Sequence, residues 1–223
     1  MKKTLALLHT TPVTVASMKE LAARLAPGVR LVNILDDSLL ADAIAAGGVT
    51  EAVRGRLESY VEQAVKAGAD AVMCCCSSVG EVIDAARART PVPLLRIDRP
   101  MAREAVRLGH RVGVMATVKT TLEPTARLVE AEARAAGKAV ELRTVLVEGA
   151  FEALQQGEGA EHDRRVVAAL EKLLGEVDVV VLAQASMARL LANLAQPPRV
   201  PVLSSPASGL GAALEALGQE VPR

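Results

Sequence analysis

The sequence contains no tryptophan, one phenylalanine (Phe151) and one tyrosine (Tyr60) in 223 residues. That scarcity removes the aromatic platform on which single-stranded nucleic acid stacks. Its 26 basic and 26 acidic residues cancel, so the basic footprint of a phosphate-backbone binder is missing too. No nucleic acid partner is expected. No uninterrupted apolar stretch approaches the ~18 to 20 residues of a membrane helix, and no membrane partner is expected. The three histidines, His9, His110 and His162, lack paired ligand spacing, and the three cysteines, Cys74, Cys75 and Cys76, are consecutive. Consecutive cysteines cannot easily converge on one metal ion and do not make a disulfide framework. A metal-free protein of the reducing cytoplasm is the expectation. No Walker-type loop occurs, and Gly209-Leu-Gly211-Ala-Ala-Leu214 lacks the third glycine of a dinucleotide loop, so neither nucleotide-binding motif is read here.

What is present is 51% apolar content, ample for a packed core. The opening Met1 to Leu8 starts like a signal peptide, but its apolar run stops at His9, and it reads as a first strand instead. Short Val/Leu/Ile-rich runs bounded by turn residues predict strands at Thr4 to Leu8, Arg30 to Ile34, Ala71 to Cys75 and Pro93 to Ile97. Four more are predicted at Arg111 to Ala116, Glu141 to Leu146, Val177 to Leu182 and Val200 to Leu203. The clearest helix runs from about Thr50 to Lys66, where Val53, Leu57, Tyr60, Val61, Ala64 and Val65 form one stripe. Apolar strands alternating with amphipathic helices predict an α/β protein whose parallel sheets are covered on both faces.

An internal repeat divides the chain. Asp70-Ala71-Val72-Met73 lies over Asp178-Val179-Val180-Val181, 108 residues on, and the same shift sets Val92-Pro93-Leu94-Leu95 over Val200-Pro201-Val202-Leu203. It also sets Thr4 to Leu8 over Val112 to Ala116, and Pro100 to Leu108 over Ser208 to Ala216. Two similar Rossmann-like halves follow, each with a parallel four-stranded sheet and related by a pseudo-twofold axis. The first is 1–98, completed by the C-terminal helix 207–223; the second is 99–206. On this shift Cys76 corresponds to Gln184 and His9 to Thr117, and the two equivalent turns are expected to face one another across a cleft that holds the active site.

The first of these turns carries the chemistry. Val79, Val82, Ile83 and Ala86 recur at helical spacing after the strand, which leaves Cys76, Ser77 and Ser78 in the turn between. Small-molecule sites of open α/β sheets lie at such turns. A thiol at a helix N-terminus meets free backbone N–H groups and the positive end of the dipole, which favour thiolate. Cys74 and Cys75 alternate to opposite faces of the strand and read as packing residues. The bland alternative for Cys76 is a buried, inert thiol.

Over its whole length and in order, the chain resembles the aspartate/glutamate racemase superfamily, which includes hydantoin racemases, maleate isomerases and arylmalonate decarboxylases. The resemblance rests on Cys76-Ser77-Ser78, on Ala116-Thr117-Val118-Lys119-Thr120, and on Leu182-Ala183-Gln184-Ala185-Ser186-Met187. It implies a cofactor-independent racemase or isomerase in which a cysteine from each half flanks the carbon beside a substrate carboxylate. One thiolate removes a proton and the opposite thiol returns one. Cys76 matches the first cysteine, but Gln184 stands where the second belongs, and an amide neither takes nor gives a proton near neutral pH.

The expected partners are a small carboxylate or amino-acid substrate and further copies of the chain in a homo-oligomer. Substrate-binding candidates are Thr10, Ser77, Ser78, Thr117, Lys119, Thr120 and Ser186. The hydroxyls among them either bind a carboxylate at a helix N-terminus or cap the helix, and Lys119 either adds charge there or is simply exposed. His9, a titratable imidazole at a strand end, is the candidate substitute for the missing acid, against the plainer role of a structural histidine. Three activities remain: a racemase or isomerase, a single-cysteine decarboxylase of the arylmalonate type, and a non-catalytic binder of small carboxylates.

Overall fold

The computed structural model describes residues 2–194 and 197–220. In chain order its elements are β1 Thr4–His9, α1 Pro12–Leu25, β2 Arg30–Leu35, α2 Ser38–Ala45, α3 Glu51–Lys66, β3 Ala71–Cys74, a 3₁₀ turn Ser77–Val79, α4 Gly80–Ala86, a 3₁₀ turn Arg87–Arg89, β4 Leu94–Arg96 and α5 Arg99–Leu108. Then follow β5 Arg111–Ala116, α6 Lys119–Ala135, β6 Glu141–Leu146, α7 Ala150–Gln155, α8 Gly159–Leu173, β7 Val179–Leu182, a 3₁₀ segment Ala185–Asn193, β8 Val202–Ser204 and α9 Ser205–Ala216. All eight strands lie within a few residues of the segments read from sequence. Thr50 caps α3, its hydroxyl accepting from Val53 N–H at 3.2 Å.

Two compact units result, Met1–Pro100 with Pro206–Arg223, and Met101–Ser205. Each holds one parallel four-stranded sheet, ordered β2-β1-β3-β4 and β6-β5-β7-β8. In the first unit Ala6, Leu8, Val72 and Cys74 pack under α2, α3 and α4, while Leu5, Leu7, Met73 and Cys75 pack under α1 and α9. Alternate residues therefore feed opposite cores, as the period of a strand requires. Gly209 lets α9 approach this sheet: a Cβ there would come within 2.5 Å of the Ile97 carbonyl oxygen and 2.6 Å of its Cγ1. The Gly209 to Leu214 stretch is thus helix interior. In the second unit α5 and α6 cover one face and α7, α8 and the 3₁₀ segment the other.

The same hydrogen-bonded staple opens the central strand of each unit. Asp70 accepts from Thr4 N–H at 2.8 Å, and Asp178 accepts from Arg111 N–H at 2.8 Å. The next-neighbour ladder repeats it, with Asp70 N–H donating to Thr4 O and Asp178 N–H to Arg111 O. These pairs correct the repeat. Leu8 lies beside Cys74 in one sheet and Met115 beside Leu182 in the other. Strands β3 and β7 thus keep the 108-residue shift, but β1 and β5 are related by 107, because the second unit spends one more residue between its first and third strands. Ala116, not Thr117, is the counterpart of His9, and Thr10 is the counterpart of Thr117. A one-residue slip exchanges the two faces of a strand, so the ungapped alignment had paired residues of opposite orientation at the strand end.

Candidate functional site

The two equivalent turns are built alike. After β3, Cys75 N–H donates to Leu8 O at 2.8 Å; after β7, Ala183 N–H donates to Met115 O at 2.9 Å. The next residue, Cys76 or Gln184, has extended backbone (φ −135° and −105°) and stands at the head of a 3₁₀ turn. Ser77 and Ser78 belong to that 3₁₀ turn, not to an open loop, and α4 begins only at Gly80. The reason is local: Gly80 N–H reaches back to Ser77 O before the α-helical ladder is established.

The three thiols separate by environment. Cys74 and Cys75 are buried in opposite cores, and desolvation pushes both thiols well up from their ordinary range, with neighbouring Cys76 adding to the effect. Cys76 is half-buried. Only it combines the strand-end position with access to solvent. Ser77, Ser78 and Thr10 around it are buried.

In the second unit Gln184 is held by two donors. Its Oε1 accepts from Thr117 N–H at 2.6 Å and from the Thr117 hydroxyl at 3.0 Å. A backbone N–H can only donate, so the atom facing it is the amide oxygen, and the –NH₂ group is turned the other way. Both donors of Thr117 that the sequence offered to a carboxylate are thereby committed to Gln184. Lys119 is exposed and sits 3.7 Å from Glu123 on the same helix. Thr120, the second residue of α6, keeps its Oγ1 buried with no hydrogen-bond partner among the described residues. Ser186 is half-buried in the 3₁₀ segment.

His9 is buried, its Nδ1 2.8 Å from the Thr14 hydroxyl and its Nε2 3.0 Å from Asn33 Oδ1. Burial pulls its pKa below the usual 6.5, against the raising effect of the Asn33 bond. A neutral ring donates from Nε2–H to Asn33 Oδ1 and leaves Nδ1 facing the Thr14 hydroxyl, whose one proton is shared between Nδ1 and Thr11 O at 3.1 Å. Both nitrogens are occupied, so the imidazole ties β1, β2 and α1 together instead of standing ready as an acid. Sequence reasoning missed Asn33 and Thr14 as its partners; the polar Asn33 amid the apolar run Leu31 to Leu35 was the available signal.

Behind the Cys76 turn lies a buried ionic cluster that also escaped notice. Arg96, at the end of β4, donates from Nε and Nη2 to the two oxygens of Asp98, both at 2.9 Å, and from Nη1 to Asp84 Oδ2 at 2.8 Å. Arg99 pairs with the other oxygen of Asp84. Arg96 is 4% exposed and Asp98 0%. Among the described residues no group of three or more His, Cys, Asp or Glu side chains could hold a metal ion, and no helix is long and apolar enough to cross a membrane.

The fold is shared with solved structures of an aspartate, a glutamate and an allantoin racemase. An aspartate racemase from Picrophilus torridus superposes with a TM-score of 0.71 at 12% identity, covering 99% of this chain and 96% of that one. A glutamate racemase from Francisella tularensis, solved with D-glutamate, gives 0.73 at 10% identity over 100% and 85%. An allantoin racemase from Klebsiella pneumoniae gives 0.63 at 16% identity over 99% and 90%. Identities this low speak for the fold alone. No curated protein matches the sequence. The model of the Asp/Glu/hydantoin racemase family matches residues 8–213, nearly the whole chain, and the protein belongs to that family.

Proposed function

We propose that the protein is a cofactor-independent isomerase-type enzyme that forms a carbanion beside the carboxylate of an amino acid or small carboxylic acid, with Cys76 as the thiol that moves the proton. The observation that carries this reading is the sorting of three adjacent thiols: two are sealed into opposite cores, and the one left accessible stands where the family resemblance puts a catalytic cysteine. Ser77 and Ser78 with Thr10 line the thiol's own turn. Thr120 supports an anion role at the other turn, since a buried hydroxyl without a partner costs about 1 to 3 kcal/mol unless a ligand satisfies it. Thr117 and Ser186 shape that second turn, and Lys119 adds charge at its rim.

A second reading is favoured by Gln184. With its oxygen fixed by Thr117, it can offer an amide donor to a carboxylate or a developing enolate but cannot carry a proton. Such an asymmetric pair suits a single-cysteine lyase, in which loss of carbon dioxide generates the carbanion and one thiol protonates it on one face. The test is proton NMR in heavy water with amino acids, small dicarboxylates, hydantoins and substituted malonates. Exchange at the α-carbon that disappears in Cys76→Ser supports the isomerase reading, and one-handed product from a malonate supports the lyase. Carboxylate binding without either reaction, undiminished in Cys76→Ser, would leave a binding protein.

A further inference from the structure

We propose that Arg96, Asp98, Asp84 and Gly80 form a positioning device for the turn that carries Cys76. This rests on the reading of Cys76 as the reactive thiol. The turn is held at both ends by Arg96, the last residue of β4, and Ile97, which follows it. At its start, Cys74 is the ladder partner of Arg96, and Ile97 N–H donates to Cys74 O at 3.0 Å. At its end, the Arg96 guanidinium lies against the Cα of Gly80: a Cβ there would meet Nε at 2.5 Å and Nη2 at 2.6 Å. Only glycine admits this approach. From that position the guanidinium bonds Asp84 one turn further along α4 and Asp98 beyond β4. Segment 75–79, with Cys76 in it, is therefore spanned by a rigid planar fork anchored on the neighbouring strand.

A buried ion pair of this kind contributes little stability beyond what apolar residues of equal volume would. The second unit has the same sheet without it: 108 residues on, Gly80, Asp84, Arg96 and Asp98 become Ala188, Ala192, Ser204 and Pro206. There the turn after Gln184 continues as 3₁₀ helix, Ala185–Asn193, and among the described residues no α-helix lies between it and β8. The cluster accompanies the thiol, not the architecture. Arg96 and Asp98 are buried and Arg96 acts through Gly80, so these are positioning residues.

The test is the rate of Cys76 alkylation by iodoacetamide in the native protein between pH 6 and 10, localised to Cys76 by fragment mass spectrometry. Four proteins are compared: wild type, Gly80→Ala, the charge-balanced pair Arg96→Met/Asp98→Leu, and the triple variant. Circular dichroism and the thermal midpoint verify folding. Cys76 is the half-buried thiol of the three, and a turn displaced from its seat changes the access of the reagent to it, so Gly80→Ala and the pair should each slow alkylation about 10-fold. The triple variant should be no slower than the pair, because Gly80 acts only through the guanidinium. Unchanged or faster alkylation in folded Gly80→Ala, or an additive loss in the triple variant, overturns the proposal. If the pair fails to fold, Gly80→Ala alone decides it in the same way. Substrate exchange that survives Cys76→Ser would instead sink the functional reading, an outcome separate from any effect of Gly80 on alkylation.

Discussion

The two units share one strand order, one staple and one turn geometry, yet they end their third strands differently. The first unit presents a half-buried thiol on a turn backed by a buried arginine–aspartate cluster; the second presents an amide whose oxygen is locked by Thr117. Duplication supplies two equivalent positions, and only one of them carries a group able to move a proton. The architecture is thus indifferent to which side chains stand at the ends of its third strands.

The sharpest way to break this comparison is to remove the thiol. Cys76→Ser should lower carbanion formation by about 10²- to 10⁴-fold, the usual contribution of a positioned acid or base, as read by deuterium incorporation into substrate. Replacing Cys74 should leave the exchange unchanged, because that thiol is buried with its pKa raised. Equal losses from both would mean that the strand end matters and the thiol does not.

Restoring symmetry sharpens it further. Gln184→Cys gives up the amide oxygen that the N–H and hydroxyl of Thr117 hold and puts a titratable thiol at the second turn. Exchange on the second face of the substrate should rise at least about tenfold over wild type, detected as loss of stereochemical purity in the product. A variant that stays one-handed would assign the asymmetry to substrate binding instead of to Gln184.

A smaller effect is expected from Thr117→Val, which deletes the 3.0 Å hydroxyl bond and spares the 2.6 Å backbone one. A neutral hydrogen bond is worth about 0.5 to 1.5 kcal/mol net, so urea unfolding should show a loss of about that size. Thr10→Val, at the corresponding place beside a thiol, should cost less. Equal costs would mean that Gln184 gains nothing from its partner.

Much of this was readable in advance. Strand positions, the parallel sheets and the division into halves follow from apolar runs such as Ala71 to Cys74 and from their recurrence near Val179 to Leu182, since a strand buried on both faces has few ways to be written. The exact partner of His9 was not readable. Matching apolar residues by type cannot sense a one-residue slip, whereas the Leu8 to Cys74 and Met115 to Leu182 ladder pairs fix it. The Arg96 cluster was hidden for a different reason: Arg96, Asp98 and Asp84 look like ordinary surface charges until β4 is placed beside β3. Thr117 looked like a free donor because its partner lies 67 residues away.

The last and mildest contrast lies in the staples. Asp178 accepts N–H donors from His110 and Arg111 and pairs with Arg111 through Nε at 3.1 Å and Nη2 at 2.7 Å. Asp70 has one backbone donor, Thr4, and Lys3 at 2.9 Å. The backbone N–H of Arg111, then its guanidinium, hold the Asp178 carboxyl at about 2 against its usual 3.8; the Thr4 N–H, then Lys3, hold Asp70 below the same value. A depressed carboxylate pKa contributes stability that is complete above the unfolded value and is lost as pH falls through the folded one. The staple of the second unit should therefore persist from pH 3.8 down toward about 2, and the first should fade earlier. Amide chemical shifts report each locally: the Arg111 N–H should titrate at lower pH than the Thr4 N–H, and Asp178→Asn should remove the Arg111 transition alone. Both carboxylates are about one-third exposed, so raising the salt concentration should narrow the gap. Coincident midpoints at low salt would show that the additional N–H and the guanidinium fork of Arg111 add nothing to a single amide and a lysine.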